Sequence, residues 1–311
     1  MSTTVFSEKT SKVKCARFYF EYKGHPLEDL ATFREITLQE RADKPMVYFA
    51  GDSSLDNKFW VNLADRDPTV AVPDIYHKAL DIPQPKPDVA FWLNHVLGDR
   101  ATALNTAVEE SMIRERDNSL LPHDEFIRDK IRPQDTLIIS VGGNDIAFKP
   151  SFWTIINMLR LAWLTPLSHL EDGSASSLRY FRTLFGDKIQ AYVTKLTAIT
   201  KPRAVIVCMI YYPLESGLDQ KSWADLQLTA LGYDRWPGQL QAAIRAMYRQ
   251  ATMEIRVDGV EIVPCALYEV LDGKGGGDYT DRVEPNEGGR KMAERFGAIL
   301  EGLWVDNENI S

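Results

Sequence analysis

Four short strings in this 311-residue chain hold side chains suited to chemistry: Gly51-Asp52-Ser53, Asn105-Thr106-Ala107, Gly142-Gly143-Asn144-Asp145 and Asp281-Arg282-Val283-Glu284-Pro285. The first offers a hydroxyl and the third a carboxamide, each directly after an apolar run that reads as a strand. In a parallel α/β sheet such positions share the carboxyl edge, where ligands bind, so Ser53 and Asn144 are expected side by side despite their distance in sequence. Taken singly, each string also reads as an ordinary turn or helix cap, since Gly, Asp, Ser and Asn favour both. Asp52, Asp145, Asp281 and Glu284 suggest a different chemistry, the oxygen ligands of a hard cation, but their spacing matches no ligand loop. The expectation is therefore no metal.

The elements that must position these groups follow from the apolar pattern. Met46–Ala50, Thr102–Val108, Thr136–Val141, Ala204–Tyr211 and Val260–Val263 are almost continuously apolar, as strands buried on both faces are. Between and after them run helical periods: Leu178 to Leu196, Leu240 to Ile255 with Pro237 in the first turn, and Met292 to Leu303. Strands alternating with helices predict a flavodoxin-like, three-layer α/β/α sandwich with a mostly parallel five-stranded sheet. Residues 1–44 break the rhythm. Phe18, Phe20 and Tyr22 alternate with Arg17, Tyr19 and Glu21, which predicts an added edge strand and a linker. These residues form an N-terminal extension packed on a domain spanning 45–311. Gly275–Gly277 lacks the Lys-Ser/Thr ending of a phosphate-binding loop and reads as a flexible connection.

In the order and placement of the four strings, the chain resembles the SGNH or GDSL hydrolase superfamily over about residues 46–303. The resemblance implies a serine hydrolase acting on an ester or acyl substrate, an esterase or lipase that needs no cofactor. It makes Ser53 the nucleophile. The N–H groups of Ser53 and Ala107, with the Asn144 side chain, become the oxyanion hole. Ala107 stands where the family has Gly, but the group used there is a backbone N–H, which alanine keeps.

The last string departs from the pattern. The family carries Asp-x-x-His followed by Pro, and here Glu284 occupies the histidine position, with Asp281 three residues before it. All five histidines, His25, His77, His95, His123 and His169, lie earlier in the chain. Only His95 or His123 offers a substitute through a loop. Glutamate lacks the second N–H by which an aspartate holds the triad imidazole. Two close carboxylates can imitate imidazole if they share one proton, with Asp281 orienting Glu284 as general base toward Ser53. Ordinary Glu titrates about two units below His, a deficit of about 3 kcal/mol, so activity is expected to be slow or shifted to acidic pH. The competing reading is a catalytically impaired binding protein, a pseudoenzyme that keeps the fold and the pocket without turnover. Asp281 and Glu284 also read as a solvated loop before a helix, which places acids near its positive end.

Composition narrows the remaining classes. Hydrophobic residues make up 44% and charged residues 26%, which excludes a disordered or fibrous chain. Acids outnumber bases 44 to 36, and no basic run tracks a phosphate backbone, so no nucleic-acid partner is expected. Cys15, Cys208 and Cys265 fit neither a disulfide framework nor a zinc spacing. With a polar Met1–Lys14 and no integral membrane segment, the reading is cytoplasmic. The apolar stretch Phe152–Leu167 is interrupted by Arg160. It reads either as a core helix or as a wall or lid for an apolar pocket.

Overall fold

The five apolar runs become five parallel strands, four of them buried on both faces and the fifth, at the sheet edge, only partly buried, and helices cover them above and below. The computed structural model describes residues 11–216 and 222–308. The strands are β1 (Met46–Gly51), β2 (Thr102–Asn105), β3 (Thr136–Ser140), β4 (Ala204–Met209) and β5 (Ile262–Ala266), ordered β2-β1-β3-β4-β5. Chain direction across the sheet reverses between β1 and β3, the switch point at which such sheets open a crevice beyond their carboxyl ends. Gly51 pairs in register with Ser140, so the β1 and β3 exits lie side by side. A small antiparallel pair, β6 (Tyr279–Asp281) and β7 (Glu284–Pro285), stands apart from the main sheet.

Helices cover both faces, as the alternation of β1 side chains shows. The Tyr48 hydroxyl accepts from Arg34 on one side, in a helix spanning Leu27–Glu40. Phe49 packs on the other side against Phe296 of the final helix, Glu287–Glu308. We number the helices used below α1 (Cys15–Phe20), α2 (Leu27–Glu40), α3 (Phe152–Trp163), α4 (Asp225–Ala230), α5 (Pro237–Gln250) and α6 (Glu287–Glu308). The expected long period from Leu178 to Leu196 is one helical run, α-helical at both ends with a π-helical turn over Thr183–Lys188. This architecture is the expected three-layer α/β/α sandwich.

Several local expectations are corrected. The predicted edge strand around Phe18 is helix α1. Its burial does not alternate: neighbours Phe18 and Tyr19 are both buried while Phe20 is 85% exposed. Phe18 stacks on His25 and Phe33 and so draws this segment into the core, and the expected linker is helix α2. The first ten residues of the expected extension lie outside the described residues. Strand β2 stops at Asn105 instead of Val108, because the chain folds over the sheet end: Thr106 Oγ1 donates to Phe49 O, and Val108 N–H donates to Gly51 O at 3.0 Å. Strand β5 starts two residues late because Val260 is spent in a turn with Val257. Cys208 and Cys265 become register neighbours on β4 and β5, and all three cysteines are free and buried.

Candidate active site

Ser53 follows a glycine that the backbone demands. Gly51 has φ +137°, and a Cβ there would come within 1.7 Å of Ser140 O, so any other residue would force the two strand exits apart. The turn is closed by Asp52, whose N–H donates to Ser140 O at 3.1 Å. Its Oδ1 accepts from the N–H and hydroxyl of Ser54 at 3.1 and 2.8 Å. Asp52 is therefore a turn-forming residue. The Ser53 N–H has no hydrogen-bond partner among the described residues.

From the neighbouring exit, left-handed Gly142 at φ +113° starts the short helix Gly143–Ala147, which carries Asn144 and Asp145. Asn144 is buried and lines the same cavity as Ser53. One of its two amide hydrogens goes to Ser111 O at 3.2 Å, which fixes the carboxamide and leaves its second hydrogen without a partner among the described residues. Asp145 is committed elsewhere, accepting from the Ile113 and Arg114 N–H groups at 2.7 and 3.3 Å. The four carboxylates considered for a cation do not converge, and among the described residues no cluster of three or more potential ligands forms.

Glu284 arrives from the opposite end of the sequence on the two-residue strand β7. It is 2% exposed, and its Oε1 accepts from Ser53 Oγ at 3.4 Å. That is longer than the usual hydroxyl–carboxylate bond. The same Oε1 accepts from Trp223 Nε1 at 3.3 Å, and Oε2 is buried with no partner among the described residues. Asn57 holds the strand close to the Ser53 turn, donating to Pro285 O at 3.1 Å. Arg282 pins the hairpin to α4 through Asp225 at 2.9 Å.

Two expected partnerships do not form. Asp281 faces Glu284 across the β6/β7 pair, but its side chain makes no hydrogen bond to the Glu284 side chain. Its oxygens accept from Ser222 Oγ, from the Trp223 N–H at 3.3 Å and from the Val283 N–H at 3.4 Å. Asp281 therefore reaches Glu284 only through its charge and by fixing Trp223. Ala107 is fully buried, its N–H donates to Asn105 Oδ1 at 3.2 Å, and it is absent from the cavity wall. The tight fold-over after β2 consumes the donor that the sequence reading assigned to an oxyanion. Nor does a histidine intervene: His123 Nε2 is paired with His25 O at 2.7 Å, and His95 packs edge-on against Trp92.

Burial dominates the electrostatics. It pushes Glu284 up to about 8, the charges of Asp52 and Asp281 add to the rise, and the hydrogen bonds from Ser53 and Trp223 oppose it. Glu109, 2% exposed and just past the second string, is pushed up further by burial and by the charge of Glu284. Trp60 Nε1 holds one of its oxygens at 3.2 Å, and the other has no partner among the described residues. Glu109 and Trp223 are the residues that sequence reasoning missed. The position of Glu109 after Asn105-Thr106-Ala107 was a usable signal, whereas Trp223 belongs to no string at all.

Ser53, Asn144 and Glu284 line one cavity of about 130 Å³ whose wall is mostly apolar. Helix α3 supplies Met158 and Leu161 from its inner face, while Phe152, Trp153 and Leu159 stay exposed on its outer face. The Phe152–Leu167 stretch is thus a pocket wall at the surface and not a core helix. Asp52, Ser54 and Gln227 of α4 are further polar residues on the wall, and the Gln227 Oε1 is buried without a partner among the described residues. Among the described residues no helix is long and apolar enough to cross a membrane.

No protein-family model matches the chain, and no curated protein matches it. Among solved structures, it is similar to Est24, a carbohydrate acetylesterase from Sinorhizobium meliloti. The match covers 84% of this chain and 100% of that one at 14% identity, with a TM-score of 0.41. It is also similar to the inhibitor-bound form of an aryl esterase from M. smegmatis, over 84% of this chain and 99% of that one at 12% identity, again with a TM-score of 0.41.

Proposed function

We propose that this protein is a serine hydrolase of the SGNH type that cleaves carboxylic esters, with Ser53 as nucleophile and Glu284 as general base in the place of histidine. The observation that carries the reading is the hydrogen bond from Ser53 Oγ to the buried Glu284 Oε1, made across more than two hundred residues in the wall of a largely apolar cavity. Ionised Glu284 takes the serine proton as the hydroxyl oxygen attacks the ester carbonyl, and the tetrahedral oxyanion is met by the Ser53 N–H and the Asn144 amide. Protonated Glu284 then gives its proton to the departing alcohol. Water repeats the sequence on the acyl-enzyme, releasing the acid and restoring the serine.

Several features support this assignment. Burial brings the carboxyl near the basicity of imidazole and recovers the deficit of an ordinary glutamate. Trp223 holds the carboxyl in place of the aspartate of a conventional triad. The acid-shifted activity expected from sequence gives way to the opposite sign: the active form is the anion, so the rate should climb with pH until about 8. Asp281 is assigned a positioning role through Trp223, and Ala107 is left out of the oxyanion hole.

A serine-directed fluorophosphonate tests the reading. It should label the protein more rapidly as pH rises from 6 to 8, and Ser53→Ala should abolish both labelling and ester hydrolysis. Failure of the wild-type protein to label at pH 8 would refute the enzyme and favour a binding protein.

A further inference from the structure

The chemistry of the cavity wall selects the acyl group, and this step rests on the proposed esterase reading. Beyond Ser53, Asn144 and Glu284, helices on several sides turn apolar side chains inward. Examples are Met158 and Leu161 of α3, Phe181 and Phe185 of the 178–196 run, and Ala243 and Met247 of α5. An acetyl group would leave most of that surface uncovered. A saturated chain covers it without bringing in a polar atom that needs a partner. At about 130 Å³ the space is slightly smaller than an apolar cavity of about 150 Å³ that holds benzene, which sets the capacity at roughly six carbons.

We infer that the substrate is an ester of a medium-chain aliphatic acid whose acyl chain, roughly six carbons long, lies in the cavity between α3 and α5. The carbonyl stays at Ser53, and chain length is read by how far the apolar wall extends.

The test is a series of p-nitrophenyl esters from acetate to laurate, hydrolysed by the full chain at pH 8. Each added methylene that becomes buried is worth up to about fourfold, so kcat/KM should rise about tenfold or more from acetate to hexanoate and stop rising by decanoate. A profile that is flat, or best on acetate, overturns the inference while Ser53-dependent hydrolysis stands. If instead no ester is cleaved and no fluorophosphonate attaches, the proposed function fails and the cavity is tested by binding. In that experiment a thermal shift of the Ser53→Ala protein by 2-octanone but not by 2-butanone upholds the chain-binding cavity, and equal shifts or none overturn it. Ala243→Leu, or the smaller Ala243→Val where leucine prevents folding, narrows the wall. Either should lower the hexanoate-to-acetate ratio about threefold or more, and an unchanged ratio in a folded variant overturns the assignment.

Discussion

The turn carrying Ser53 and the hairpin carrying Glu284 meet at one cavity but are held in different ways. Ser53 sits on backbone: two parallel strands in register, a glycine at φ +137° and an aspartate that closes its own turn. Glu284 sits on a two-residue strand, and its neighbours Ser53, Trp223, Asp52 and Glu109 come from scattered parts of the chain. A short-range motif can therefore specify where the Ser53 hydroxyl stands. The basicity of the carboxyl beside it depends on what surrounds it after folding.

This contrast can be broken at either end. The largest effect is expected at Gly51, where Ala would place a Cβ 1.7 Å from the Ser140 carbonyl oxygen. With strain at a positive φ added to that overlap, Gly51→Ala should cost more than about 4 kcal/mol, read as loss of soluble folded protein or a collapse of Tm.

At the other end, Glu284→Gln keeps the shape and removes the proposed base. The expected loss in kcat/KM at pH 8 is about 10²- to 10⁴-fold. Its effect on stability has the reverse sign at alkaline pH. The folded pKa of Glu284 lies above its ordinary value, so wild-type folding binds a proton, and stability falls as pH rises from about 4.5 to 8. The glutamine variant should lose less stability over that window, measured by urea unfolding at pH 5 and pH 8.

Two smaller changes sharpen the account of how Glu284 is tuned. Trp223→Phe deletes a hydrogen bond to the ionised carboxyl and should move the rising limb of the pH–rate profile about one unit higher. Asp281→Asn removes a charge that raises Glu284 and should move the limb lower, by less than about one unit, with little loss at the plateau. A large plateau loss for Asp281→Asn would restore the shared-proton pair expected from sequence. The smallest effect is at Gln227, where Leu would remove a buried acceptor that lacks a partner among the described residues and stabilise the fold by about 1 kcal/mol. For a chain of this size that is a Tm rise of about 2 °C.

The sheet was legible because four of its five strands are buried on both faces, which makes them continuous apolar runs in any register. Four strands begin where the pattern begins, whereas β5 is displaced because Val260 belongs to a turn. The N-terminal segment was misread because an alternation of three aromatic residues imitates a strand. Which of them becomes buried was settled by Phe33 and His25, which have no regular spacing from Phe18. The same limit explains the site: Ser53 and Asn144 follow strands and were legible, whereas Trp223 reaches Glu284 only through tertiary packing and left no pattern to read.

By itself, then, the order of residues determined the five strands, the edge at which Ser53 and Asn144 emerge, and the two carboxyls, Asp281 and Glu284, placed just before the last helix. Each follows from local rules: apolar runs, turn residues and position after a strand. Only the tertiary structure decided that Asp281 turns to Trp223, that the Ala107 N–H is consumed, that Phe152–Trp163 walls a cavity, and that Glu284 loses its water and gains basicity. Those outcomes depend on desolvation and on charges brought together from distant segments, and neither is a property of any short stretch of chain.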